Sequence, residues 1–584
     1  IDGTLEVKAS GTSDEVIAVG TGVSVNGYEK VGGIVGINYG TMGSATQSVY
    51  LVNKAKQVRA SHGTVGGVVG ESDGNITKTI NRGTTVNADS GTAGGITALN
   101  ATGKVISECI NYGDVRSSNG YVGGITAENK GTIRKCSVTG KETGATTIYS
   151  LGVDEIGAVS AVNVGTIEDS KVSGSVTLRG DATKFGGITG SNEGVVQNTN
   201  LTDMPEIAGT KTNLTVGGAV GENLKTVTGI HAKGLNFNNF SGYMYLGGIV
   251  GINGNTGNNT ADVTDCAYSG TIKEKTSAAG NCYGGIAGIN YATLQNDNIG
   301  EIHMTIQGVY TATSTSTAQQ KEAAASHAGG IAGKNEEGAL IFGCTLENNA
   351  NSNLTAYYGM LGGVTGFNKG NIQMSGSSIT ENVMNDADTA DKLVSNAKTQ
   401  GLSADSTYIN SGSSKQVENL RYSSGTGTSA GSSTTVSDGR LQMYMNTNGN
   451  IGGIVAYNGT TGAVNDCVAG KWFLVNKSEA IGVGTGGMIG MNESENNLSR
   501  LVNGAFVGRQ LSNADTNRFA GGIIGNQNNS TSSDWTIDTC INFGTVYCYN
   551  THYSGGIMGQ WTGSGGNIEN CRNYGNLQTT YGTA

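Results

Sequence analysis

Proline occurs once in 584 residues, aromatic side chains make up 6% and charged ones 14%. Collagen is excluded, because it needs proline in quantity and glycine at every third position. No run of about 18 apolar residues is present, so no membrane-spanning helix and no direct membrane insertion of this segment is expected. A signal peptide and a sorting tail are also missing. The chain opens inside a strand-like stretch (Ile1, Leu5, Val7) and stops just after a repeat, so it reads as a processed or excised piece of something longer. Lys and Arg number 35 against 45 Asp and Glu, a net charge of −10. That balance argues against nucleic acid as a partner, since phosphate binding needs a dense basic footprint. Nine cysteines are an odd number for a disulfide framework.

Glycine, by contrast, is abundant at 97 residues, too many for packed helices, where each costs about 1 kcal/mol relative to alanine. Apolar residues make up 36%, enough to build a core if they recur in register. They do. GGIVGIN at 32–38 returns as GGVVGES at 66–72, GGITALN at 94–100, GGITAEN at 123–129 and GAVSAVN at 157–163. Fifteen such phrases occur, and thirteen of the fourteen gaps between their starts are 28 to 45 residues; the exception is 90 residues, from Gly362 to Gly452. A second half follows each phrase, so that one unit reads GGIxGxNxGxIxxCxNxGxV, as in Val105-Ile106-Ser107-Glu108-Cys109-Ile110-Asn111-Tyr112-Gly113.

Runs of three to five residues rich in Val, Ile and Thr favour strands, and Gly and Asn between them suit tight corners. No unit of about 30 residues can bury its own apolar side chains, so stability must come from stacking on neighbours. The fold class expected is all-β: a right-handed parallel β-helix, or β-solenoid, of about fifteen coils, each with three strands and three corners. Coils are expected over 1–368 and 452–584, with a small loop insertion at about 291–328 and a large Ser/Thr/Gly-rich one at 369–451. Short helices are expected at 318–326 and 390–398.

Three columns follow from the register. The third phrase residue (Ile34, Val68, Ile96, Ile125, Ile188, Ile249, Ile286, Ile331) should stack inward. The seventh is asparagine in twelve phrases: Asn38, Asn100, Asn129, Asn163, Asn192, Asn223, Asn253, Asn290, Asn335, Asn368, Asn458 and Asn492. Their amides can hydrogen-bond from coil to coil. Cys109, Cys136, Cys266, Cys344, Cys467, Cys540 and Cys571 form a third column, suited to a narrow interior where a thiol acts as a small hydrophobe.

These repeats resemble the GLUG repeat family, found in bacterial surface adhesins and in the non-catalytic region of bacterial immunoglobulin A-cleaving metallopeptidases. The resemblance covers nearly the whole chain outside the insertions. It implies an extracellular protein on a Gram-positive or gut-type bacterial surface, secreted and often attached to the wall.

Catalytic patterns are sparse. The five histidines stand apart with no HExxH, and no CxxC pair exists. GxSxG at 70–74 and 427–431 falls on a solenoid corner and in the low-complexity tract, not between a strand and a helix. Asp386, Asp388 and Asp391 lack the glycine and terminal glutamate of a calcium loop and read as a solvated helix start. Acids before the cysteine column (Glu108, Asp169, Asp265, Asp466) alternate with Lys135, Gly343 and Thr539, which suits an outward face. No cofactor, metal or catalytic residue is expected. Aromatics concentrate late, at Trp535, Tyr547, Tyr549, Tyr553 and Trp561, the candidate partner-binding residues; Tyr39, Tyr112, Phe543 and Tyr574 lie in Asn-aromatic-Gly turns and read as corner packing. Three functions stand: a non-catalytic adhesin or stalk displaying a surface for host protein or glycan, a filament subunit associating end to end, and a carbohydrate-active enzyme or the spacer arm of a surface protease.

Overall fold

The computed structural model describes residues 4–5, 15–43, 49–82, 85–202, 207–211, 213–240, 243–274, 277–313, 316–404, 440–477, 483–509, 519–529, 535–548, 553–563 and 565–579. Strand makes up 57% of the chain, with three short helices, in a parallel β-solenoid of about 15 turns. Two compact units are distinguished: Ile1–Ile299 with Ile331–Leu340, and Gly300–Gly330 with Ile341–Ala584.

In the first unit a coil carries more strands than the sequence suggests. The coil opened by Gly123 runs through Thr126–Asn129, Thr132–Arg134, Ser137–Thr139 and Thr146–Ser150 before Glu155–Gly157 leads into the next phrase. Each strand pairs in parallel with its equivalent, for instance Ile133 with Ile167 and Ile148 with Leu178. The first glycine of the phrase is sterically required: a Cβ on Gly123 would lie 2.0 Å from the Thr126 carbonyl oxygen. Inside, Val68, Ile96, Ile125, Ile188, Ile249, Ile286 and Ile331 are fully buried.

The asparagine amides form a chain of hydrogen bonds. Asn100 Nδ2 donates to Asn129 Oδ1 at 2.8 Å, Asn129 to Asn163 at 2.7 Å, Asn163 to Asn192 and Asn192 to Asn223 at 2.8 Å each. The chain continues through Asn253, Asn290 and Asn335 at 2.9 Å per step. In the second unit Asn368 donates to Asn458 and Asn458 to Asn492, which reaches Gln527 at 2.9 Å. At the first phrase, Asn38 donates to Ser72. A second amide ladder occupies the CxN position: Asn81 to Asn111 at 2.8 Å, and Asn503 to Asn542 to Asn573 at 2.8 and 2.7 Å.

The cysteine column is a polar device as well as a packing one. The backbone N–H of Cys109 donates to Cys136 Sγ at 3.4 Å, that of Cys136 to Ser170 Oγ, and that of Ser170 to Thr199 Oγ1. Elsewhere the acceptor is Asp297 for Cys266 and Ser375 for Cys344. The residue before each column position is left-handed, with φ between 48° and 57° at Lys78, Glu108, Lys135, Asp169, Asn198, Asp265, Asn296, Met374, Asp466, Arg500, Thr539 and Asn570. Backbone geometry, not charge, is therefore what these corner residues share.

Both insertions are shorter than their sequence boundaries, because coil strands without the phrase spelling flank them. Strands Thr293–Gln295, Asn298–Ile306 and His327–Gly329 confine the first to 307–326, which holds helix α1, Ala318–Ala323. Strands Asn371–Gln373, Gly376–Ser377 and Gln442–Gly452 confine the second to 378–441, which holds α2, Thr380–Met384, and α3, Ala390–Thr399. Thr317 caps α1 through a reciprocal box with Gln320, and Thr389 caps α3. Helices α2 and α3 do not stand in solvent: Val383, Met384, Leu393, Val394 and Ala397 pack on Val468, Val502, Ile541 and Phe543. Asp391 pairs with Arg572, and the Lys398 ammonium lies 5.0 Å from the Tyr574 ring centroid.

Two stability outcomes follow. Asn163→Ala orphans an amide on each side of it, so unfolding by urea should show a loss of about 1–3 kcal/mol, and hydrogen exchange should accelerate around Asn129 and Asn192. Thr539→Gly relieves a β-branched residue of its left-handed backbone and should raise stability by about 1 kcal/mol in the same assay.

Candidate binding surface

The outward residue one place before the apolar residue that precedes each glycine pair lies in a continuous column: Thr64, Thr92, Tyr121, Glu155, Lys184, Thr215 and Tyr245 in the first unit. Thr64 pairs with Thr92, Glu155 with Lys184, Lys184 with Thr215, and Thr215 with Tyr245. Across the glycine corner this column meets the sixth residue of the next phrase. Lys30 Nζ is 3.1 Å from Glu71, and Lys184 Nζ is 2.6 Å from Glu222 and 3.3 Å from Glu155. The two columns together form a strip along the unit. Its members Glu71, Leu99, Glu128, Val162, Glu222 and Ile252 all touch solvent, and Tyr121 is 38% exposed.

Within the strip lies an open cavity of about 390 Å³ lined by Thr92, Asn119, Tyr121, Val153, Asp154 and the glycines 91, 120 and 152. Asn119 is held in place: its Oδ1 accepts from the Gly91 N–H at 3.0 Å, and its amide donates to Ser90 Oγ. The Asp154 backbone carbonyl accepts from the N–H groups of Thr183 and Lys184, which leaves its exposed carboxylate turned outward from the coil. Partial burial and the neighbouring carboxylates Glu155, Asp154 and Glu128 push the Tyr121 phenol up. Burial likewise raises the Glu155 carboxyl, against the opposing pull of Lys184. The surroundings of Tyr121 are therefore negative.

The equivalent strip in the second unit is covered by the chain itself. Phe367 and Tyr457 stack at 5.1 Å between ring centroids, His327 meets Phe367 edge-on at 5.4 Å, and Met491 continues the column. Tyr310 and Ala325 of the first insertion pack on this face, where Phe367 and Tyr457 are fully buried. Lys321 of α1 lies 5.8 Å from the Tyr457 ring centroid and pairs with the buried Glu493, whose carboxylate also accepts from Asn528 at 3.0 Å. Glu322 pairs with Lys369 at 2.6 Å.

The late aromatics do not form one surface. Trp535 and Tyr547 are buried, whereas Tyr553 and Trp561 are 54% and 41% exposed; Tyr549 lies outside the described residues. Trp535 and Trp561 rings lie 5.1 Å apart, and Tyr553 stacks on Phe519 at 5.8 Å. Tyr547 sits opposite Gly508 and joins a buried cluster with Tyr444, Phe473 and Phe506, of which Phe473 and Phe506 are the directly paired rings. Of the turn aromatics, Phe543 and Tyr574 stack at 5.3 Å, while Tyr39 is 55% exposed. Asp386, Asp388 and Asp391 gather no further ligand, and among the described residues no group of three or more His, Cys, Asp or Glu is placed to hold a metal ion.

Sequence reasoning looked at the phrase glycines and passed over the residues beside them. The signal was present: at one column, seven successive coils carry Thr, Thr, Tyr, Glu, Lys, Thr and Tyr, mixing both charges with aromatic rings. The chain matches no protein-family model, no curated protein and no solved structure.

The raised Glu155 carboxyl has a pH consequence. Its native form takes up a proton before the unfolded chain does, so its contribution to stability falls as pH rises from the unfolded glutamate value, about 4.3, through its native value. Subtracting the urea-unfolding pH profile of Glu155→Gln from that of the parent should give a difference that declines over this window; a rising difference would contradict the assignment.

Proposed function

We propose that this chain is a non-catalytic display scaffold of the adhesin or stalk type, working on the bacterial surface or after secretion, and that its partner, a host protein or glycan, docks on the open strip of the first unit. The observation that carries the reading is the contrast between columns. The asparagine column repeats one chemistry from coil to coil over Asn100 to Asn335. The strip changes at almost every coil, and most of its members touch solvent, Ser191 and Ile289 being buried. A ladder of one repeated amide beneath a varied, largely solvent-facing strip is what a recognition surface on a stacked scaffold requires. The corresponding strip of the second unit, rich in Phe, Tyr and Met, is occupied by the 307–326 insertion and is not on offer.

Surface-plate binding of the purified chain to defined panels of extracellular host proteins and glycans tests this reading. Saturable binding should fall at least 10-fold in Tyr121→Ala or in the double variant Thr215→Arg/Ile252→Arg, with unchanged circular dichroism. Binding that ignores every strip variant, or no binding to any panel member, refutes it. Concentration-dependent rods in electron micrographs, with no panel binding, would support a filament subunit instead.

A further inference from the structure

We propose that the cavity at Tyr121 is a saccharide site that takes a neutral pyranose at the end or within a glycan chain. This deepens the display reading and rests on it. An exposed phenol ring offers a flat apolar face, and pyranoses present a matching face of C–H groups. Tyr121 is the one tyrosine of its column that lines the cavity, and its ring is 38% exposed there. A ring face alone selects no ligand class, so the polar groups around it decide. Asp154 brings a carboxylate that accepts two hydrogen bonds side by side, the pattern vicinal hydroxyls donate. Asn119 and Thr92 supply an amide and a hydroxyl on the opposite wall. The Asn119 amide is already fixed by Gly91 and Ser90, so no side-chain ordering remains to be done there on binding.

Two of the lining positions must be glycine. A Cβ on Gly120 would lie 1.8 Å from the Gly91 carbonyl oxygen, and one on Gly91 would lie 1.9 Å from that of Gly63. Coil stacking thus excludes a side chain at both, and bare backbone beside a ring leaves room for a disc-shaped sugar. At about 390 Å³ the cavity falls within the range of small-molecule sites.

Charge sets the ligand's sign. Asp154, Glu155 and Glu128 surround Tyr121, and the cations beside them are already paired, Lys184 with Glu155 and Glu222 and Lys130 with Glu128. A uronate or sialate carboxylate would enter this field without a free cation to meet it. Neutral hexoses carry no such penalty.

The test uses the full chain and isothermal titration with galactose-, mannose- and glucose-terminated oligosaccharides, alongside a uronate and a sialylated oligosaccharide of the same length. Expected are saturable binding of at least one neutral ligand, at least 10-fold weaker binding of the acidic pair, a loss of at least 10-fold in Tyr121→Ala, and recovery in Tyr121→Phe, which keeps the ring. Asp154→Asn should weaken binding while leaving the protein's circular dichroism unchanged. Neutral binding that is intact in Tyr121→Ala, a preference for the acidic sugars, or no saccharide binding at all overturns the site. In the second and third of those cases a protein-panel partner lost in Thr215→Arg/Ile252→Arg leaves the display reading standing; a partner indifferent to both strip variants removes both.

Discussion

Parallel, in-register stacking is the constraint on which every other feature depends. When Ile133 pairs with Ile167 and Ile167 with Val196, each side chain's nearest neighbour is its own equivalent in the next coil. A buried polar group then has one obvious partner, another copy of itself, and an amide can donate to one neighbouring coil from its nitrogen while accepting from the other at its oxygen. That is why asparagine can fill a buried column that aspartate or glutamate could not. Where the column breaks to Ser72 or Gln527, the replacement still offers an oxygen acceptor, and the bond is kept.

The same logic explains the cysteine column better than size does. At the left-handed corner the chain turns away from the neighbouring strand, and one backbone N–H loses its ladder acceptor. The side chain one coil on supplies it, as Cys136 does for Cys109 and Ser170 does for Cys136. Cys, Ser, Thr and Asp all carry an acceptor within two bonds of Cβ, and all appear there. Ile230 and Leu501 at the same register show that packing can stand in where that bond is not made.

Much of this was legible in the amino-acid order. Phrase spacing gives the coil count, and the buried Ile and Asn columns follow from it, because a ladder must repeat to work. What escaped was whatever does not repeat. The insertions looked like loops, since their Ser- and Ala-rich spelling has no period, yet α2 and α3 pack on the solenoid. The position after the cysteine column reads Val468, Val502 and Ile541 where the helices pack, but it is also apolar at Val52, Ile80 and Ile110 in the first unit, so its spelling alone did not mark the covered face. The late aromatics misled for the converse reason, because Tyr547 and Trp535 belong to buried contacts that only the fold brings together.

Covering also bears on where recognition can occur. An apolar strip such as Phe367, Tyr457 and Met491 left bare on a stacked scaffold would favour aggregation, and the 307–326 segment removes it from solvent. Burying Lys321 and Glu493 in doing so costs desolvation, which the Tyr457 ring and Asn528 partly offset. The first unit needs no such cover, since its strip alternates acids, lysines and hydroxyls with isolated apolar side chains. A surface of that kind is stable in water by itself and still carries a different face at each coil. On the display reading proposed above, recognition falls where the scaffold can remain uncovered, and within that stretch at Tyr121, beside a fixed amide, an exposed aspartate and glycines that coil stacking requires.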